Sequence, residues 1–474
     1  MFGSHRPISL RELHVSLLLL LGLIGCSATT APQRIAENKV TIVAAPAATA
    51  PTAPAVGVPA PRPAAAKAAE ALVTYPVMLG IDVLESQGFA AVKGKRLGLL
   101  THPAGVNRRG ESTIDVLRRA PGVKLVALYG PEHGVYGTAA AEAVIGDTVD
   151  RRTGLPVFSV YGRFRKPTKS QLKGIDAMVV DLQDIGTRSY TFVSAMKCTM
   201  EACFENNIEV IVLDRPNPLG GLKADGPLLA QKWKSYVGEF RVPYVHGLTI
   251  GELARMAKEA PGVLDVSEPV RARGKLTIVP MRGWRRSMRW PDTGLAWVPT
   301  SQYVADFSAV LGYPMTGLGA FWDPPRIDTG FRHGVGKSYA FRGIYHKSAK
   351  VDLIEKEVRA LNLPGLQFRR VSAPDRNGKP AVGIYIEIAD YDDWRPTDLN
   401  FHLMKLACKL EPKNPFLPGP GRDFSGFLRH MGSEEFLRAL QHDGARIDVD
   451  AFIAVWRKQD LIYQQQVRRY WLYQ

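Results

Sequence analysis

The chain has 474 residues, 46% of them hydrophobic, and 61 Lys and Arg against 45 Asp and Glu give a formal charge of +16. That apolar content excludes a wholly disordered chain, and the length suggests two folded domains. The positive charge would raise nucleic acid as a partner, yet no Lys/Arg block stands out, and the export signal described next argues against it.

The first 25 residues read as a targeting signal. Arg6 and Arg11 form a positive start, and Val15 to Ile24 is an apolar run broken only by Ser16 and Gly22. The run is shorter than the ~20 apolar residues a membrane span needs and suits a signal-peptide core. It ends in Leu23-Ile24-Gly25-Cys26, which resembles the bacterial lipobox, so Cys26 is the expected lipidation site. Two or three acyl chains there would anchor the chain to a membrane. Ser27, with no Asp after the cysteine, favours the outer membrane, facing the periplasm.

Residues 26–75 are dominated by Ala and Pro and read as a disordered tether, because few large side chains are available to offset the entropy of ordering. Extended at ~3 Å per residue, it would reach on the order of 100 Å. Loss of Arg6, Arg11 and Glu12 with the signal leaves +15, a basic surface suited to an anionic envelope. Cys198, Cys203 and Cys408 allow at most one disulfide and show no metal-type spacing.

From about residue 76 short β-branched runs alternate with helical segments. The runs are 96–100, 123–129, 155–160, 175–181 and 208–214, with helices over 112–119 and 187–205. Near-continuous apolar strands separated by helices imply an α/β fold with a parallel sheet covered on both faces, here assigned to 76–299. The remainder, 300–474, holds an alternating strand at 382–388 and helices at 399–410, 434–440 and 449–473, and reads as a smaller α+β domain.

Each strand of the first domain ends in a polar loop, where open α/β sheets bind ligands. The loops carry His102 and Asn107, then Glu132 and His133, then Tyr161 and Arg163. Asp184, Arg188 and Tyr190 follow, and Asp214, Arg215 and Asn217 complete the rim. Loop by loop these are good turns, but together they point to a site. Thr249 and Glu252 have capping-box spacing, so Glu252 reads as a cap, while His246 just before it stays open between cap and site. No Gly-x-Gly-x-x-Gly follows a strand, and Gly330 to Ser338 misses the P-loop spacing by one residue. No cofactor is implied.

These loops, in this order, resemble the exo-β-N-acetylmuramidase (NamZ) family. The matching stretches are 130–134, 155–162, 166–168, 180–191, 213–221 and 246–254, with Trp284-Arg285 and 469–473. The resemblance implies a Rossmann-like N-terminal domain, a smaller C-terminal domain, and removal of terminal N-acetylmuramic acid from peptidoglycan or muropeptide glycans. Glycosidic cleavage then makes Glu132 the expected acid/base, with His133 and Asp184 catalytic beside it. Arg188 is expected on the lactyl carboxylate, with Asn107, Tyr190, Asp214, Arg215, Asn217 and His246 binding the sugar. The chain departs from the family around 317–337: a family glutamate is missing and a family arginine has become Val335. Asp323, Asp328 and Arg332 are the candidate substitutes. A peptidoglycan-binding lipoprotein with reduced catalysis is the alternative reading, and a metal-dependent hydrolase using His102, Glu132, His133 and His246 lacks a metal-type motif.

Overall fold

The computed structural model describes residues 38–43, 77–140, 142–318, 327–336, 338–375 and 377–474. Cys26, the signal sequence, most of the expected tether, Asp323 and Lys337 lie outside them. The first described element, β1 (Thr41–Ile42), corrects the expectation of a tether continuous to residue 75. It pairs in parallel with the edge of the main sheet, and Val43 N donates to Ile278 O at 3.1 Å.

The N-terminal domain continues through α1 (Gly80–Ser86), β2 (Arg96–Thr101), α2 (Thr113–Arg119), β3 (Lys124–Gly130), β4 (Thr148–Val149) and β5 (Pro156–Ser159). It then runs through β6 (Ala177–Asp181), α3 (Phe192–Glu205), β7 (Glu209–Leu213), α4 (Ile250–Glu259), α5 (Glu268–Arg273) and β8 (Leu276–Val279). The sheet order is β1-β8-β7-β6-β2-β3-β5-β4, parallel except for β4 against β5. Its six central strands therefore run in Rossmann order, reversing direction of build between β2 and β6. Strands β6 and β7 are almost wholly apolar because helices cover both faces.

Helix α3 is buried nearly all round, mostly by apolar side chains, and its buried Lys197 is paired with Glu201, Glu239 and Asp265. It begins at Phe192, five residues later than its pattern predicts. Residues 187 and 188 are held instead by a β-bridge from Thr187 to Val245 and by Arg188 N donating to Tyr244 O at 2.7 Å. The expected capping box on α4 is present: Thr249 N donates to Glu252 Oε2 at 3.0 Å, and Glu252 N to Thr249 Oγ1 at 3.2 Å.

The C-terminal part holds α6 (Phe307–Thr316), β9 (Phe331–His333), β10 (Gly343–His346), α7 (Val351–Ala360), β11 (Leu366–Pro374) and β12 (Pro380–Ile388). Helices α8 (Asp398–Leu410), α9 (Ser425–Met431), α10 (Glu434–Asp443) and α11 (Val449–Val467) complete it. Its sheet is antiparallel in the order β11-β12-β10-β9. The last expected helix stops at Val467. Beyond it the chain packs onto the first domain, where Tyr473 donates to Asp214 Oδ2 at 2.5 Å and the Arg286 guanidinium lies 3.8 Å from the centre of the Trp471 ring. Cys198, Cys203 and Cys408 are unbridged thiols. Among the described residues no helix is long and apolar enough to cross a membrane.

Candidate active site

A Rossmann sheet offers its ligand crevice at the switch point between β2 and β6. Here side chains fill it. Arg215 donates from Nε to Asp181 Oδ1 at 2.6 Å, and from Nη2 to Asp181 Oδ2 at 2.9 Å and Val106 O at 2.7 Å. Thr113 donates to the same carboxylate. His102 accepts the Gln183 N–H at Nε2, 2.9 Å away, with its ring edge-on to Phe192. A cavity of about 40 Å³ remains beside this plug.

The open space lies one strand further on. A cleft of about 1000 Å³ runs between the loops after β3 and β6 on one side and α6 with the antiparallel sheet on the other. Glu132 enters it from the loop after β3. That loop turns abruptly because His133 and Gly134 are both left-handed, at φ 70° and 77°, a conformation that non-glycine residues adopt only at a cost. Glu132 Oε2 accepts the Thr191 hydroxyl at 2.7 Å and Oε1 accepts the Glu142 amide at 3.1 Å, which fixes the carboxylate plane. Burial and the neighbouring Glu132 charge push the Tyr161 phenol above its usual range, so it keeps its proton. His133 Nδ1 lies 3.0 Å from Ala139 O. A carbonyl only accepts, so Nδ1 carries the hydrogen and Nε2 of the neutral ring is an acceptor.

Tyr190 gives the cleft its ring, while its hydroxyl donates to Thr300 Oγ1 at 2.6 Å. On the facing wall His333 stacks on Phe341 with ring centres 4.6 Å apart, and Arg332 donates to Asp328 Oδ1 at 3.1 Å. Val335, at the position where the family carries arginine, is fully buried. Cβ atoms placed on Gly343 or Gly383 would come within 2.8 and 2.6 Å of its side chain, so the site has no room for a guanidinium. Arg332, one of the candidate substitutes, lines the cleft with its guanidinium paired to Asp328.

The other expected site residues do not line this cleft. Asp184 is buried, with Oδ2 accepting Gly186 N–H at 2.7 Å and His246 Nε2–H at 3.2 Å. His246 Nδ1 accepts from Leu248 N at 3.2 Å, so the ring hydrogen sits on Nε2 and points at Asp184. A side chain at Gly186, φ 82°, would strike Asn217 Oδ1, whose amide group is itself held between Leu248 O and Leu219 N. Arg188 is 1% exposed, and its two terminal nitrogens donate to four backbone carbonyls, those of Pro227, Val242, His430 and Met431. Asp214 is sealed under α4 and accepts from Thr249 Oγ1, Gly251 N, Arg215 N and Tyr473; burial pushes its carboxyl up to about 7 against those donors. Asn107 closes its own turn with Arg109 N and Glu111 N, and Arg215 is the plug described above.

Thr191 was not among the sequence candidates. It stands at the N-cap of α3, where a threonine reads as a cap, yet its side chain makes no cap bond because the hydroxyl serves Glu132. Ser301, Tyr313 and Tyr345 also line the cleft from elements whose polar residues carried no pattern of their own. Among the described residues no group of three or more His, Cys, Asp or Glu is placed to hold a metal ion.

A Rossmann-like domain with one strand-end glutamate in an open cleft, roofed by a small antiparallel sheet, defines a two-domain α/β protein with a carboxylate-based site. Residues 97–308 match the N-terminal domain, and 311–473 the C-terminal domain, of the exo-β-N-acetylmuramidase NamZ. The peptidoglycan β-N-acetylmuramidase NamZ of Bacillus subtilis (strain 168) is 37% identical over 343 residues, covering 71% of this chain and 79% of that protein. The chain belongs to the exo-β-N-acetylmuramidase NamZ family. Two crystal structures of DUF1343 family proteins from Bacteroides fragilis share the fold, each covering 84% of this chain and 99% of the other. They superpose at TM-scores of 0.73, with 35% identity, and 0.63, with 24% identity.

Proposed function

We propose that this protein is an exo-acting glycosidase that removes terminal N-acetylmuramic acid from peptidoglycan fragments, with Glu132 as the principal acid/base. The observation that carries this is the position of Glu132. It opens into the cleft, whereas Asp181, Asp184 and Asp214 are buried and bonded within the fold. Glycoside hydrolysis needs a carboxylic acid to protonate the leaving oxygen and a second group to stabilise the oxocarbenium ion. Thr191 and the Glu142 amide orient Glu132 for the first task. Arg332 supplies a fixed cation for the lactyl carboxylate, and the rings of Tyr190, Tyr313 and Phe341 offer apolar surface to the sugar face.

Glu132→Gln keeps the shape but leaves one accepting oxygen in place of two, and the amide can neither give up nor take the catalytic proton. It should lower chromophore release from a chromogenic muramic-acid glycoside by ~100-fold or more. Activity within a few-fold of wild type would sink the assignment.

The enzyme works, in this reading, from a lipid anchor on Cys26 at the outer membrane, facing the periplasm. Support comes from the short apolar run and the Gly25-Cys26 junction. Cys26→Ser should move the protein from the membrane fraction to the soluble one and remove acyl mass from the N-terminal peptide. Unchanged partitioning and mass would refute the anchor.

A further inference from the structure

A second cavity, of about 420 Å³, is lined by Tyr161. Tyr161 and Glu132 each lie two residues beyond the Gly130–Ser159 pair that ends β3 and β5, which makes the cavity a neighbour of the cleft. The wall beyond is aromatic and basic. The Arg165 guanidinium lies 4.6 Å over the Tyr236 ring, and the Tyr161 and Tyr236 rings are 5.7 Å apart. Arg429 enters from α9.

Both arginines are exposed; Arg429 faces the Asp423 charge, and no carboxylate ion pair holds Arg165 among the described residues. Other exposed arginines of this domain, such as Arg109, Arg119 and Arg152, are paired with Glu or Asp. Asp423, the one acidic residue lining the cavity among those described, has its oxygens bonded to the amide and hydroxyl of Ser425. The result is a concave surface that carries two guanidinium groups against a single carboxylate among the described residues, a surplus of donors suited to a further carboxylate. It lies next to the proposed acid/base, and stacking on Tyr236 limits how far Arg165 can swing.

We propose that this cavity is an aglycone subsite, which takes a carboxylate-bearing part of the fragment beyond the bond being cut. The proposal rests on the reading of Glu132 as the acid/base. Two parts of a peptidoglycan fragment carry such carboxylates, a peptide stem and the lactyl group of a further muramic acid, and the substrate series below separates them. A muramic-acid chromogenic glycoside has neither, so it occupies the cleft alone.

The test compares the full-length protein with Arg165→Glu/Arg429→Glu on three substrates: the chromogenic glycoside, a peptide-free muramic-acid-terminated tetrasaccharide, and the same tetrasaccharide bearing peptide stems. Charge reversal should raise KM at least tenfold for one or both anionic fragments relative to the glycoside. A loss confined to the stem-bearing fragment identifies the peptide as the occupant, and a loss confined to the peptide-free one identifies the lactyl carboxylate, which the stem-bearing fragment carries as an amide; a loss on both means that either carboxylate is accepted. The same ratio for all three substrates overturns the subsite. Binding of each of the two tetrasaccharides to Glu132→Gln, with and without the two reversals, decides the matter independently of turnover. A tenfold weakening for either supports the subsite even if wild type cleaves nothing, a result that would refute the enzyme reading alone, and unchanged affinity for both overturns it.

Discussion

Arg188 shows why polar residues at strand ends mislead. In the sequence it stands among Asp, Asn and Tyr at a rim where ligands bind. In the fold it ties the loop after β6 to the chain before α4 and to the end of α9 through four carbonyls. Loops leaving a parallel sheet bury backbone that needs partners, and Asp214, Arg215, Asn217 and Asn107 meet the same need. Residue type could not separate these from Glu132, because both uses select charged and amide side chains. An ammonium cannot reach four carbonyls in two directions, so Arg188→Lys should lower unfolding free energy by about 3 kcal/mol. Urea denaturation measures this, and KM for the chromogenic glycoside should stay within about threefold. A tenfold rise in KM at unchanged stability would return Arg188 to the substrate.

Elements were legible where one physical signal dominated. Strands β2, β3, β6 and β7 are apolar because both faces are covered, and the cap on α4 was visible as Thr249 and Glu252 three residues apart. Strands β9 to β11 were not legible: β9 and β10 are only three and four residues long, and the nine-residue β11 breaks its alternation at Arg369-Arg370. Strand β1 was hidden for another reason: two residues, both exposed, in an Ala/Pro background. Its pairing covers the free edge of β8 and changes the geometry of the proposed anchor. With residues 38–43 held on the sheet, the eleven residues 27–37 span at most ~40 Å. The ~100 Å tether read from composition is thereby shortened to less than half. An anchored site would then reach the glycan layer nearest its own membrane.

At the scale of the molecule, the two domains share buried carboxylates. Asp225 lies in the loop before α4, Asp398 at the start of α8 and Asp460 within α11, all at most 5% exposed. Burial, with Asp225 nearby, pushes Asp398 up to about 7 and Asp460 up to about 9, while Arg457 opposes the first and Arg188 the second. Unfolded, each would titrate near 3.9. The folded state therefore holds protons that the unfolded chain releases, so this contribution is complete below pH ~4 and is lost as pH rises toward 9. His102 works in the opposite direction. Burial holds its pKa well below 6.5, so its contribution is present above that value and is lost as pH falls. The two limbs place maximum stability on the mildly acidic side of neutrality. Asp460→Asn removes one group from the alkaline limb, worth about 1 kcal/mol per pH unit over its range. Thermal melts from pH 4.5 to 9 should show a flatter alkaline limb and a maximum displaced to higher pH. Parallel wild-type and variant curves would mean that Asp460 titrates as an ordinary carboxylate and that the domain junction is not what sets the alkaline limit.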